Sequence, residues 1–183
     1  MKKLLIVLLS IVFLSSCVTI EFENPQPKKG KLLQAYPEDL RGTYRIKMLE
    51  KDAEISSDTL LIAETYYENK DTKRQRMFLS DSCQLYTYQS DYIINIKVRS
   101  EVAWTVGLIR KESNGNLTVY GLFDQDENKE KLLNDVGAIT TINRVPKPNG
   151  GHSFVINPKP KEFNLIVDKG YFKPVYELIP IKE

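Results

Sequence analysis

The chain opens on an apolar run, Leu4 to Leu14, interrupted only by Ser10. Lys2 and Lys3 precede it, and Leu14-Ser15-Ser16-Cys17 closes it. Basic, then apolar, then small is the order of a secretory signal, and the run is shorter than the roughly 20 residues a bilayer span needs. Residues 18–36 then lose periodicity. Pro25, Pro27, Lys28, Lys29, Gly30 and Lys31 read as an extended tether, about 65 Å when stretched and nearer 25 Å as a coil. Inside that stretch Thr19-Ile20-Glu21-Phe22-Glu23 alternates and offers a strand that would shorten the reach. From Gly42 the period becomes two. Thr43 to Lys47 alternates and Thr59 to Ala63 is a short apolar run, so both predict strands. Residues 64–82 show no clean period, and Lys73-Arg74-Gln75-Arg76 marks a solvated turn or edge rather than a ligand site.

The centre of the chain is more explicit. Leu85-Tyr86-Thr87-Tyr88, a turn at Gln89-Ser90-Asp91, and Tyr92 to Arg99 predict two antiparallel strands. In the second, Ile94, Ile96 and Val98 share the apolar face, leaving Asn95, Lys97 and Arg99 for solvent. Ser113-Asn114-Gly115-Asn116 carries an Asn-Gly pair, which suits the two positive-φ positions of a type I′ turn. With that pair at the tip, Val106 faces Phe123, Leu108 faces Gly121, Arg110 faces Val119 and Ile109 faces Tyr120; Trp104 extends the apolar face into the core. Next, Leu132, Leu133 and Val136 sit at helical spacing, with Asp126 to cap and Gly137 to stop. Strands follow near 139–145 and 152–156. Pro160 and Gly170 bracket a second helix, and a closing strand covers 175–181.

These elements predict a mostly β (α+β) fold: one antiparallel β-sheet domain, barrel- or sandwich-like, with two short helices in the C-terminal third. The division of the chain is 1–16 signal peptide, 17–36 lipidated cysteine and tether, and 37–183 domain. After cleavage 167 residues remain, enough for one core. Ten tyrosines and seven phenylalanines, Phe13 of the signal among them, favour strands. Lys2 and Lys3 leave with the signal, so the rest carries 24 basic against 24 acidic side chains. Such a neutral domain has no general electrostatic reason to bind nucleic acid.

Candidate chemistry is sparse. Leu14-Ser15-Ser16-Cys17 resembles the lipobox of bacterial lipoproteins, which implies cleavage before Cys17 and acylation on it, palmitate included. Two or three chains on one cysteine anchor a protein durably where a single chain does not. With Cys17 consumed, Cys83 has no disulfide partner within the chain and reads as a buried thiol. His152, the single histidine, excludes His-rich metal sites and zincin motifs, and Gly151-His152-Ser153 lacks the second glycine of a nucleophile elbow. Asp124, Asp126, Asn128 and Asp135 have EF-hand-like spacing, but Lys129 stands where that loop needs glycine, so they are weak calcium candidates beside an ordinary role at a helix start. No Gly-rich phosphate loop follows a strand, and no cofactor is implied.

Several segments together resemble an uncharacterised lipoprotein family of the Bacteroidota. They are Phe22-Glu23-Asn24-Pro25-Gln26-Pro27, Tyr36-Pro37, Leu40-Arg41-Gly42-Thr43-Tyr44, Tyr92-Ile93-Ile94-Asn95 before Trp104-Thr105-Val106, and Asn157-Pro158-Lys159 leading to Gly170-Tyr171-Phe172. Residues 52–80 are compressed relative to that pattern. The resemblance implies an envelope location and a mostly β domain, and brings no catalytic residue. Val18 after the lipidated position is not the aspartate associated with inner-membrane retention in proteobacteria, which favours the outer membrane and leaves the periplasmic or surface face open. The expected role is a non-catalytic module that binds a small molecule or a protein, its ligand-binding residues not assigned. The alternative is an envelope hydrolase built on an acidic residue pair.

Overall fold

Period-two segments need neighbours on both sides, and here they find them in one curled sheet. The computed structural model describes residues 18–49, 55–71, 76–97, 103–124, 129–147 and 152–181. In chain order come β1 (Val18–Phe22), β2 (Leu32–Leu33) and a 3-10 turn at Glu38–Leu40. Then follow β3 (Gly42–Met48), β4 (Ile55–Ile62), β5 (Tyr66–Asn69), β6 (Met77–Phe78), β7 (Cys83–Tyr88) and β8 (Asp91–Ile96). The last third holds β9 (Thr105–Lys111), β10 (Leu117–Gly121), β11 (Phe123–Asp124), α1 (Lys129–Gly137), β12 (Ile142–Pro146), β13 (His152–Ile156), α2 (Pro160–Asp168) and β14 (Lys173–Pro180).

Ten of these strands pair in the order β2-β7-β8-β9-β10-β14-β3-β4-β5-β6, all antiparallel. The last strand, β14, lies in the middle and joins the two halves. The chain then passes from β6 to β7, which stand near opposite ends of the order, through residues 79–82. Ser80 and Cys83 exchange backbone hydrogen bonds of 2.8 and 3.2 Å there. Accumulated strand twist together with this short link curls the sheet into a half-barrel. The fold is therefore mostly β and antiparallel, with both helices late in the chain.

A smaller sheet, β11-β1-β13-β12, packs with the helices on the outside of the curl. Its β1 runs parallel to β13, with Ile20 beside Phe154 and Phe22 beside Ile156. Phe22, fully buried, meets Phe163 edge-on at 6.0 Å and Phe172 at 6.4 Å, and Tyr88 meets Phe163 at 5.5 Å. Helix α2 enters on Pro160, where the missing N–H is no loss. It leaves through Gly170 at φ +70°, with the Gly170 and Tyr171 amides returning to Val167 and Ile166.

Three expectations are corrected. Residues 18–36 are not a tether: β1 is a core strand, the Tyr36 side chain is buried, and the alternation at 19–23 was the decisive signal. The prolines lie in the crossing between β1 and β2, where no sheet partner is needed. Second, the β9–β10 hairpin is shifted by one residue. Glu112 and Asn116 close a three-residue loop in which only Gly115 has positive φ, +88°, a geometry that carries a bulge instead of a type I′ turn. Arg110 therefore faces Thr118, Ile109 faces Val119 and Leu108 faces Tyr120. Third, the face of β8 assigned to solvent is the more buried one. Asp91, Ile93 and Asn95 lie against the outer layer, while Ile94 and Ile96 line the inside of the curl half-buried. Val98 and Arg99 fall outside the described residues, as do Lys73, Arg74 and Gln75. Trp104 is core, 8% exposed, as expected.

The polar members of that β8 face are partnered. Arg110 donates two hydrogen bonds to Asp91 Oδ2, at 3.1 and 2.8 Å. Asn95, fully buried, accepts from the Gln26 amide and donates to the Gln26 carbonyl, both at 2.7 Å. Replacing Asn95 with leucine keeps the volume and strands both Gln26 groups. We expect Asn95→Leu to lower unfolding stability by about 3 kcal/mol, read from urea denaturation; an unchanged midpoint would show that water satisfies Gln26 instead.

Candidate functional site

The inside of the curl holds a cleft. Because side chains alternate, β3 and β4 send Ile46, Leu60 and Ile62 inward, and β8 sends Ile94 and Ile96 from across the space. Ile109 and Val119 form the floor between them, with Leu178 beside them. Three aromatic rings, Tyr36, Tyr67 and Tyr176, complete the wall. They line a half-open cavity of about 220 Å³ with no charged side chain on its wall. A second space of about 400 Å³ adjoins it, sharing Ile94, Ile96, Val119 and Tyr176 and continuing past Thr19 and Ile20. Gly107 and Gly121, paired across β9 and β10, line this groove. A Cβ at Gly107 would stand 3.2 Å from Ile94 Cγ2, and one at Gly121 3.2 Å from the Phe123 ring. Glycine there keeps the groove open.

Three weakly acidic groups gather near the inner end. Tyr36 is 1% exposed, and no hydrogen bond of normal geometry reaches its hydroxyl. Burial raises its ionisation well above the ordinary tyrosine value, with the Cys83 thiol and Tyr67 adding to the effect. Burial likewise pushes Tyr67 up to about 12, again with Cys83 contributing, and pushes Cys83 up to about 11. All three are neutral at physiological pH. They offer no thiolate nucleophile and no general base.

A third cavity, of about 340 Å³, lies between the end of α1 and the start of α2, lined by Thr140, Asn143, Asn157, Lys159 and Glu162 among others. Two of its polar groups are already engaged. Asn157 accepts from Lys28 at 2.6 Å and donates to Glu23 at 2.8 Å, and Glu162 accepts from the Lys159 amide at 2.8 Å. None of the three cavities has two carboxylates on its wall.

No family model, curated protein or solved structure matches this chain.

The residues singled out in the sequence are not brought together. Cys17, Asp126 and Asn128 lie outside the described residues. Asp124 sits in β11 opposite Val18, and Asp135 on α1 pairs with Lys131 one turn earlier. Among the described residues no three His, Cys, Asp or Glu side chains are placed to hold a metal ion. His152 is exposed and meets Arg144 at 3.3 Å. Arg76 bonds Glu68 at 2.8 Å and lies 4.6 Å above the Tyr66 ring, so the end of the basic stretch holds an edge of the sheet. The cleft residues were missed because they come from strands far apart in sequence. Their one local signal is the lone glycine in each of β9 and β10.

The raised ionisation of the buried cluster predicts an alkaline limit. A group whose folded value lies above its unfolded one stabilises the fold while neutral, and that contribution is lost as pH rises through the folded value. For Cys83 the window runs from 9.0 to about 11, and for Tyr67 from 10.0 to about 12. The melting temperature should start to fall near pH 9 and continue towards 12. In Cys83→Ala the onset should move up to the tyrosine value of 10.0. An onset unmoved by that substitution would remove the thiol from the cluster.

Proposed function

We propose that this chain is a lipid-anchored bacterial lipoprotein whose β domain binds a small apolar ligand in the cleft of the curled sheet, without catalysis. The observation that carries the reading is the cavity of about 220 Å³ walled by aliphatic side chains and tyrosine rings. A closed apolar hole of about 150 Å³ takes up benzene, and this half-open cleft offers an apolar wall of the same kind. An occupant of matching shape removes these walls from water and gains both apolar burial and dispersion. Each methylene transferred from water contributes about 0.8 kcal/mol. A compound of one to two dozen non-hydrogen atoms, mostly carbon, fits the usual range of ligand pockets when the adjoining groove is included.

An outer surface for protein partners has less support. Of the exposed large apolar residues, Leu49 and Tyr176 lie close together where β3 meets β14, while Leu32, Phe78, Leu165 and Ile181 come from different elements. Apolar residues exposed singly or in a pair are the ordinary state of a protein surface. A hydrolase has less still, because acid-pair chemistry needs two carboxyl groups facing one space. The lipobox at 14–17 supports the anchor, and the Bacteroidota resemblance supports an envelope location, with the outer membrane favoured.

Two measurements test the reading in separate parts. Labelled palmitate should enter the wild type and not Cys17→Ala; equal incorporation would remove the anchor. A neutral phenylnaphthylamine, which fluoresces in apolar surroundings, should bind the wild type. Val119→Phe adds a ring where both spaces meet and should weaken that binding roughly tenfold or more. Equal binding by a folded Val119→Phe protein would place the probe elsewhere and end the case for the cleft.

A further inference from the structure

We propose that the groove along Gly107 and Gly121 takes an acyl chain of a bilayer phospholipid, admitted at Thr19 from the membrane surface on which the protein is anchored. The inference rests on the proposed anchor and binding cleft, and names the source and class of the ligand. Its basis is the position of β1. The strand begins at Val18, directly after the lipid-bearing position, so no linker separates the anchor from the fold. Thr19, exposed, stands two residues from Cys17, and an extended chain spans about 7 Å over that distance. Thr19 is also a wall residue of the groove of about 400 Å³. The fold thereby holds this end of the groove close to the headgroups, and the tight attachment leaves little freedom to turn it away.

The chemistry of the path matches a hydrocarbon chain. None of the wall residues of the groove carries a charge, and Ile94, Ile96, Val119 and Tyr176 also line the inner cavity. A phosphate or ammonium headgroup drawn inside would lose hydration with nothing to replace it. The headgroup therefore stays at the Thr19 end while the chain lies along the two glycines. The acyl chains on Cys17 are not the occupants, because they must remain in the bilayer to hold the protein there.

Trp104, the sole tryptophan, is buried and directly precedes Thr105 of the groove wall. The lipidated protein in detergent is titrated with phosphatidylcholine brominated along its acyl chains, and Trp104 fluorescence is followed. Wild type should be quenched with saturation. Thr19→Phe narrows the entrance at an exposed strand position that tolerates phenylalanine. It should shift the midpoint upward roughly tenfold, the loss expected when about two methylenes are displaced. Gly107→Leu fills the groove and should abolish quenching; its folding is checked by melting temperature, and Thr19→Phe decides the matter should Gly107→Leu fail to fold. Quenching of the same midpoint in wild type and Thr19→Phe would overturn the proposal. Binding of the phenylnaphthylamine without quenching by the brominated lipid would overturn it as well, leaving the apolar cleft intact. Loss of both would remove cleft and lipid together.

Discussion

The Asn95 carboxamide exchanges two 2.7 Å hydrogen bonds with the main chain of Gln26, both partners wholly buried. They meet where the chain leaves β1 on the outside of the curl and crosses to the edge at β2, before Tyr36 and Leu40 enter the inner core. A crossing segment has no sheet neighbour to satisfy its amides, and burying them unpaired would cost more than a typical hydrogen bond contributes. One side chain on β8 meets that need for both groups at once. The N-terminal segment can thus cover both faces of the sheet. Phe22 and Ile20 close the outer core and Tyr36 plugs the inner one, so the crossing determines whether the cleft has a closed end.

A sheet covered on two sides explains how much of the fold was legible. Strand positions at 43–47, 85–88, 152–156 and 175–181, and both helices, follow from local period and end signals. Which face points where does not. In β8, Ile93 and Ile94 are adjacent, apolar and packed in different cores, so alternation alone gives no direction. Asn95 read as solvent-facing because its partner is a backbone group 69 residues away. In the β9–β10 hairpin the Asn-Gly pair located the turn correctly. One further loop residue, however, moved every cross-strand pair to the opposite face. The cleft was less legible again, since β14 inserts between β10 and β3 and brings Tyr176 and Leu178 beside Val119 and Ile46.

Neutrality is the property that the cleft and its inner end share. Tyr36, Tyr67 and Cys83 lie in surroundings that raise the ionisation of all three, in each case with burial as the largest cause. Charged pairs lie elsewhere, as at Arg110 with Asp91 and Lys47 with Glu177. A catalytic site commonly pushes neighbouring groups apart in ionisation so that one can donate and another accept a proton. Here all three move in the same direction, away from reactivity. Such a wall can sort ligands by shape and by the number of carbons it buries, and it can reject charge through desolvation.

The groove is one place where the fold forgoes stability. Glycine in a strand interior is less stable than alanine by roughly 0.5–1 kcal/mol, and two of them stand side by side in β9 and β10. The Tyr36 hydroxyl, also buried, has only the Cys83 thiol beside it, a weak partner. The outer core, by contrast, is filled by Phe22, Phe163 and Phe172 with their rings within 6.4 Å of one another. A domain able to pack aromatic rings that closely has no general difficulty in filling space. Local departures from good packing are expected where function requires them. The glycine pair stands in the wall of the groove, where the proposed occupant would lie.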